Sequence, residues 1–241
     1  MIQIAAINES ATVADAQVPA VVAALQRQVR EHFAPAWGID AQLSVSARGA
    51  VPAPDSWQLV LLDDSDQADA LGYHETTAAG LPLGKVFVRT STQDGENWPV
   101  CASHELLEML ADPWVCDTVL AQTSESAGTL YPREVCDAVE GATYEIDGVQ
   151  VSDFVLPAYW FPAVPGVTLA GPFDWLKQLQ APLPALLPGG YLGEMAVGVP
   201  ATGWQQITDM RRLSARHAAK TGSRRHRRTL PRAAWRQSTK G

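Results

Sequence analysis

Pro99-Val100-Cys101-Ala102-Ser103-His104-Glu105-Leu106-Leu107-Glu108-Met109-Leu110-Ala111-Asp112-Pro113 is a stretch bracketed by prolines that scans as one helix. Pro99 falls in the first turn, where a missing N–H costs nothing, and Asp112-Pro113 marks the end. On that helix His104 and Glu108 are four apart and lie on one face. Cys101, Glu105 and Asp112 fall near the same stripe. Val100, Leu107 and Leu110 lie on one side of it, and Ala102, Leu106 and Met109 on the other. A solvated helix has one broad polar face. A narrow polar stripe between two apolar rows predicts instead a mostly buried helix that turns the stripe towards a cleft.

His104-Glu105-x-x-Glu108 is one residue away from H-E-x-x-H. In that motif two ligands at i and i+4 grip zinc, and the glutamate after the first histidine is the general base for water. Glu108 stands where the second histidine would. A carboxylate bonds zinc at about 2.0–2.2 Å, so the spacing still serves. Its negative charge makes a bound water less acidic than imidazole would, and also suits manganese or iron. The competing reading is a buried histidine and two glutamates that only exchange hydrogen bonds. A catalytic zinc takes three protein ligands. Asp112 lies about 12 Å along the axis from His104 and reads as a helix-end or turn residue. The better source of a third ligand is Tyr131–Glu140, which presents Glu134, Asp137 and Glu140. Several carboxylates beside one imidazole repel each other unless a cation sits among them.

The chain has 241 residues, enough for one domain and a tail, and its 46% hydrophobic content permits a sizeable core. No apolar run approaches 18 residues, which excludes a membrane-spanning helix. Met1-Ile-Gln-Ile-Ala lacks a basic leader, so a cytoplasmic start is expected. The net charge of −8 hides an asymmetry. Residues 211–241 hold 11 of the 18 basic residues and no acid, leaving residues 1–210 with 7 against all 26 acids, a balance of −19. Cys101, Cys116 and Cys136 are read as reduced, with a Cys116–Cys136 bridge as the alternative for a released protein. Cys101 shares the His104 stripe, although a small buried hydrophobe is its plain reading.

Taken in order, residues 2–7 predict a strand, and Val18, Val21, Val22, Leu25, Val29 and Phe33 a helix closed by Pro35 and Gly38. Strands are expected at 42–48, 57–62, 71–76 and 85–89, before the Pro99 helix. Asp63-Asp64-Ser65-Asp66 lacks calcium-loop spacing and reads as a loop. Tyr131–Glu140 has helical spacing and is predicted as a short helix, with a strand as the alternative. Strands at 144–146 and 149–156 form a hairpin around Asp147-Gly148. A last pair is expected at 191–197 and 204–207, among otherwise irregular structure. The class is therefore α+β, with a mixed sheet packed on an N-terminal helix and a central helix, and an irregular C-terminal half.

A sheet that precedes a helix carrying His104-Glu105 resembles the N-terminal half of a zincin metallopeptidase of the glutamate-ligand type. More specifically, four runs are similar to phage- and prophage-associated proteins of zincin-like character. They are Ala70-Leu71-Gly72-Tyr73-His74-Glu75, Ser103 to Pro113, Glu134-Val135-Cys136-Asp137-Ala138-Val139-Glu140 and Val151-Ser152-Asp153-Phe154-Val155. The likeness covers roughly residues 57–200. It implies a sheet edge strand, at 71–76 or 85–89, along which a peptide would lie antiparallel. It implies a zinc-dependent peptidase with Glu105 as general base and His104 and Glu108 as ligands, and a downstream acid that completes the set. Glu134 occupies that place, with Asp137 as its replacement or as a hydrogen-bond acceptor that holds His104. Glu108 departs from the common motif. An oxyanion stabiliser is needed, for which Tyr144, Tyr159 and Tyr191 are the candidates, although each reads in the first place as a core or rim tyrosine. His74 reads as a surface histidine in preference to a cleft residue.

Two further readings stand beside the peptidase. One is a non-catalytic phage or prophage accessory or virion protein in which a metal only staples the fold. The other rests on Arg224-Arg225-His226-Arg227-Arg228, in a tail (211–241) expected to be disordered and to bind polyanions such as nucleic acid weakly and salt-dependently. The body, residues 1–210, is then one metal-binding domain.

Overall fold

The computed structural model describes residues 1–67, 70–161, 169–198 and 203–208; the basic tail, 211–241, lies outside them. Strand β1 (Ile2–Asn8) buries Ile4, Ala5, Ala6 and Ile7 on both faces, as a strand inside a covered parallel sheet must. Helix α1 (Val18–Arg27) buries Val18, Val21, Val22, Ala24 and Leu25. The helix runs on through a π-helical stretch, Gln28–Phe33, into α2 (Ala34–Trp37), and stops at Gly38 with φ 71°. The sequence predicts one plain helix here. The structure widens it just ahead of Pro35, whose ring has no N–H to offer the carbonyl four residues back.

Strands β2 (Ala41–Ser46), β3 (Trp57–Leu62), β4 (Gly72–Thr76) and β5 (Pro82–Phe87) complete a five-stranded sheet ordered β2-β1-β3-β5-β4. β1 pairs in parallel with β2 and β3, and β3 with β5, whereas β4 runs antiparallel to β5 at the edge. Of the two segments expected at the edge, 72–76 takes it, and Lys85 lies inside in β5. The strand expected to reach Arg89 ends at Phe87, where α3 (Val88–Gln93) begins. Ser91 Oγ and Thr92 Oγ1 there donate back to the carbonyls of Phe87 and Val88, 2.8 and 2.9 Å away.

Helix α4 (Trp98–Ala111) is the Pro99 helix, and every residue from Ala102 to Ala111 is buried. It packs against β4, β5 and, from the C-terminal half, a short hairpin. Burying each of Leu106, Leu107 and Leu110 stabilises the fold by about 1.5–3 kcal/mol. Removing an ionised carboxylate from water costs several kcal/mol. The apolar rows and the polar stripe are therefore opposed terms of similar size.

The C-terminal half holds more strand than the sequence predicts. Strands β6 (Thr118–Ser124), β7 (Ala127–Pro132), β10 (Tyr191–Val197) and β11 (Gln205–Thr208) make an antiparallel sheet ordered β11-β10-β7-β6. Strands β8 (Thr143–Ile146) and β9 (Val149–Ser152) make the expected hairpin. Its turn residues, Asp147 (φ 51°) and Gly148 (φ 80°), both have the positive φ that a tight right-twisted hairpin needs.

The helix expected at Tyr131–Glu140 is absent. Tyr131 and Pro132 end β7, and only Asp137–Val139 forms a 3-10 turn. The apparent helical spacing arose because Glu134 to Val139 are all buried, whatever the phase. Backbone partners come from other segments: Val155 N donates to Val135 O at 2.7 Å, and Leu187 N to Ala138 O at 2.9 Å. Among the described residues the architecture is thus mixed α+β, with three sheets and few helices.

Asp153, fully buried after β9, faces the buried Asp174. Burial, reinforced by the Asp174 carboxylate, pushes the Asp153 carboxyl up to about 8 from an ordinary 3.8. The folded chain therefore holds a proton that the unfolded chain releases between those values. Its contribution to stability is full below about 3.8 and is lost as the pH rises through about 8. Urea unfolding between pH 5 and 8 is expected to show stability declining with pH in the native chain. Asp153→Asn, which imitates the protonated acid, should flatten that decline.

Candidate metal centre

Three walls meet above the sheet edge. α4 supplies His104, Glu105 and Glu108, β4 supplies His74, and the segment after β7 supplies Glu134, Cys136 and Asp137. All seven are buried, with Glu108, Cys136 and Asp137 at 0% exposure, Glu105 at 1%, Glu134 at 3%, His104 at 4% and His74 at 7%. The stripe on α4 is thus enclosed by other walls and does not line an open cleft.

His104 Nε2 lies 3.0 Å from Glu108 Oε1 and 3.3 Å from Asp137 Oδ1. Both acids face the same nitrogen. Asp137 thus stands near the nitrogen that Glu108 also faces, a position open to a companion ligand or to a hydrogen-bond acceptor. Donors bonded to a cation at about 2.0–2.2 Å stand at such separations from one another, and the mixed nitrogen and oxygen set suits zinc, manganese or iron. Cys136 Sγ also lies within 4.8 Å of the ligand atoms of His104 and Glu108. Burial raises the Cys136 thiol well above its ordinary range, and the Glu108 charge adds to this. The Cys136 N–H points to Glu108 Oε1 at 3.4 Å and fixes that oxygen from the third wall.

Glu134, expected as the third ligand, is buried and faces His74. Its Oε2 stands 4.0 Å from His74 Nε2. Glu140 is half-buried and belongs to neither His-containing ligand group among the described residues. Asp112 ends the helix as the sequence predicts: its Oδ1 accepts the N–H groups of Cys116 and Asp117 at 2.8 and 3.1 Å. Cys101 is half-buried, 3.5 Å from Ser91 Oγ and outside these ligand groups. All three cysteines are free thiols, so there is no Cys116–Cys136 bridge. The Tyr144 hydroxyl meets His32 Nδ1 at 2.9 Å, and the Tyr159 hydroxyl donates to Ala185 O at 2.9 Å. Tyr191 is buried in β10.

His74 is the main correction, for it is a buried member of the cluster and not a surface residue. Burial alone would lower its basicity. The Glu134 charge, with Glu105 and Glu108, outweighs that and raises it to about 9. Strand alternation carries the signal that finds it, since residues 72 and 74 share one face. Gly72 on that face leaves the room that Glu105 fills. No family model, curated protein or solved structure matches this chain.

A Cβ on Gly72 would stand 2.8 Å from Glu105 Cγ and 2.9 Å from the Lys85 carbonyl. Backbone cannot yield there, so Gly72→Ala is expected to cost about 1–3 kcal/mol in urea unfolding, as overpacking does. Gly80→Ala, where nothing approaches within 4 Å but φ is +82°, tests backbone strain alone and should not disturb Glu105.

Proposed function

We propose that this chain is a zincin-like, metal-dependent hydrolase acting on peptide bonds. His104, Glu108 and Asp137 would hold one divalent cation, zinc first, with manganese or iron as substitutes. The observation that supports this reading is the approach of Glu108 Oε1 and Asp137 Oδ1 to His104 Nε2, at 3.0 and 3.3 Å, inside a buried cluster. The antiparallel edge strand β4 beside the helix that carries the motif also supports it. A bound cation supplies polarisation of the scissile carbonyl and a lowered pKa of the attacking water. Glu105, next in sequence to His104 and buried in the same interior, would serve as the general base that accepts the proton of the attacking water and passes it to the leaving amine. Glu134 and His74 complete the polar wall opposite Glu105.

One observation favours a second reading, a non-catalytic phage-type accessory or virion protein with a structural cation. Glu105, Glu108 and Asp137 are at most 1% exposed, whereas a catalytic site keeps a position open to water and substrate. Nucleic-acid binding through residues 211–241 lies outside the described residues. No helix among the described residues is long and apolar enough to cross a membrane.

Elemental analysis of the purified chain and hydrolysis of casein separate these readings. The wild type is expected to carry a divalent cation and to cleave. Glu105→Gln should keep the cation at His104 and lose turnover by about 10²–10⁴-fold, the usual worth of a positioned base. His104→Ala should lose that cation. Bound cation without Glu105-dependent cleavage selects the second reading, and no cation in the wild type overturns both.

A further inference from the structure

Glu108 has two carboxylate oxygens, and they face different imidazoles. Oε1 stands 3.0 Å from His104 Nε2, and Oε2 stands 4.0 Å from His74 Nδ1. His74 Nδ1 also lies 3.8 Å from Glu105 Oε2. Both are ion-pair separations, and the His74 side chain is 3% exposed while those of Glu105 and Glu108 are 1% and 0%. An imidazole nitrogen and two carboxylate oxygens therefore face one another in a buried group whose ligand atoms all lie within 4.8 Å. Two bonds of about 2.0–2.2 Å span such separations through a shared cation.

The other nitrogen of His74 fits the same purpose. Nε2 lies 3.2 Å from the carbonyl oxygen of Asp112, at the end of α4. An N–H donated there leaves Nδ1 as the lone-pair nitrogen and fixes the plane of the ring, which is how metal-binding histidines are commonly held. Glu134 Oε2, 4.0 Å from Nε2, stands behind the same edge. The ligand atoms of His74, Glu105 and Glu108 all lie within 4.8 Å of one another, as do those of His104, Glu108 and Cys136, and Glu108 belongs to both sets.

We propose that the centre holds a second divalent cation, bound by His74 Nδ1, Glu105 Oε2 and Glu108 Oε2, with Glu108 bridging it to the first. This rests on the first cation assigned above to His104, Glu108 and Asp137. Two metals bridged by a carboxylate lie close together, in the range of about 3.5–4 Å found in two-metal hydrolytic sites. Filling the second position draws on Glu105, so it competes with the proton-taking role of that residue. Turnover therefore peaks with one equivalent bound and falls when the second binds.

The test uses the full chain stripped by chelation and titrated with manganese. Stoichiometry is read by elemental analysis, and pairing by electron paramagnetic resonance. Two equivalents in the wild type, with the exchange-coupled spectrum of a manganese pair, are expected. His74→Gln, which keeps a polar side chain of similar length, should bind one equivalent with the spectrum of an isolated ion. Circular dichroism confirms that the variant is folded. One equivalent in the wild type, or two without spin coupling, overturns the second site and leaves the first standing. No manganese at all overturns both. Should His74→Gln fail to fold, the wild-type stoichiometry and spectrum still decide.

Discussion

Four carboxylic acids, Glu105, Glu108, Glu134 and Asp137, share one interior with two imidazoles, and the rest of the molecule has to make that tolerable. Like charges at such distances in a low-dielectric interior repel by several kcal/mol. That is a large fraction of what a domain has to spare. The apolar rows of α4 hold the helix in place against that repulsion. Ser103 on the same helix accepts the Ser152 N–H at 2.7 Å, which clamps α4 to the β8–β9 hairpin. The charges themselves need protons or counter-charges, and the His74 imidazole faces three of the acids.

The three walls are fixed by unlike means. α4 is placed by burial, as an intact helix with its side chains in register. His74 is placed by a sheet edge, where pairing of β4 with β5 sets which residues face the helix. Glu134, Cys136 and Asp137 lie on a stretch with almost no regular structure, held by backbone hydrogen bonds from Val155 and Leu187. Gly190 shows how close that last fit is, because a Cβ there would overlap the Ala138 carbonyl. Precision at the centre therefore depends on contacts made between residues far apart in the chain.

This division explains what the sequence could and could not reveal. The β-α-β-β-β-β-α order of the first half was legible because each element carries its own periodicity and punctuation. The central helix and its buried stripe were legible for the same reason, and so was the tight Asp147-Gly148 hairpin. His104, Glu108, Glu134 and Asp137 could be gathered as candidates because the four-residue spacing is a local signal and the two downstream acids lie on one short stretch. The approach of Asp137 to His104 and of Glu134 to His74 was not legible, since it depends on the path of an irregular chain. A helix was expected at 131–140 because uniform burial imitates helical spacing when it falls on the right residues. His74 was missed because a single histidine in a five-residue strand is ambiguous until the neighbouring helix is known. β6 escaped notice altogether, its residues half-buried or exposed and its alternation weak.

His104 and Asp137 are separated by the whole of β6 and β7. A cation gripping both would turn the intervening chain into a closed ring, much as a disulfide does. Such closure lowers the entropy of the unfolded chain, and the gain grows only slowly with ring size. Because Asp137 sits on a stretch with little regular structure of its own, the clasp would fall where the backbone has the fewest other restraints. The centre would then be a fastening for the fold, whatever chemistry it also performs.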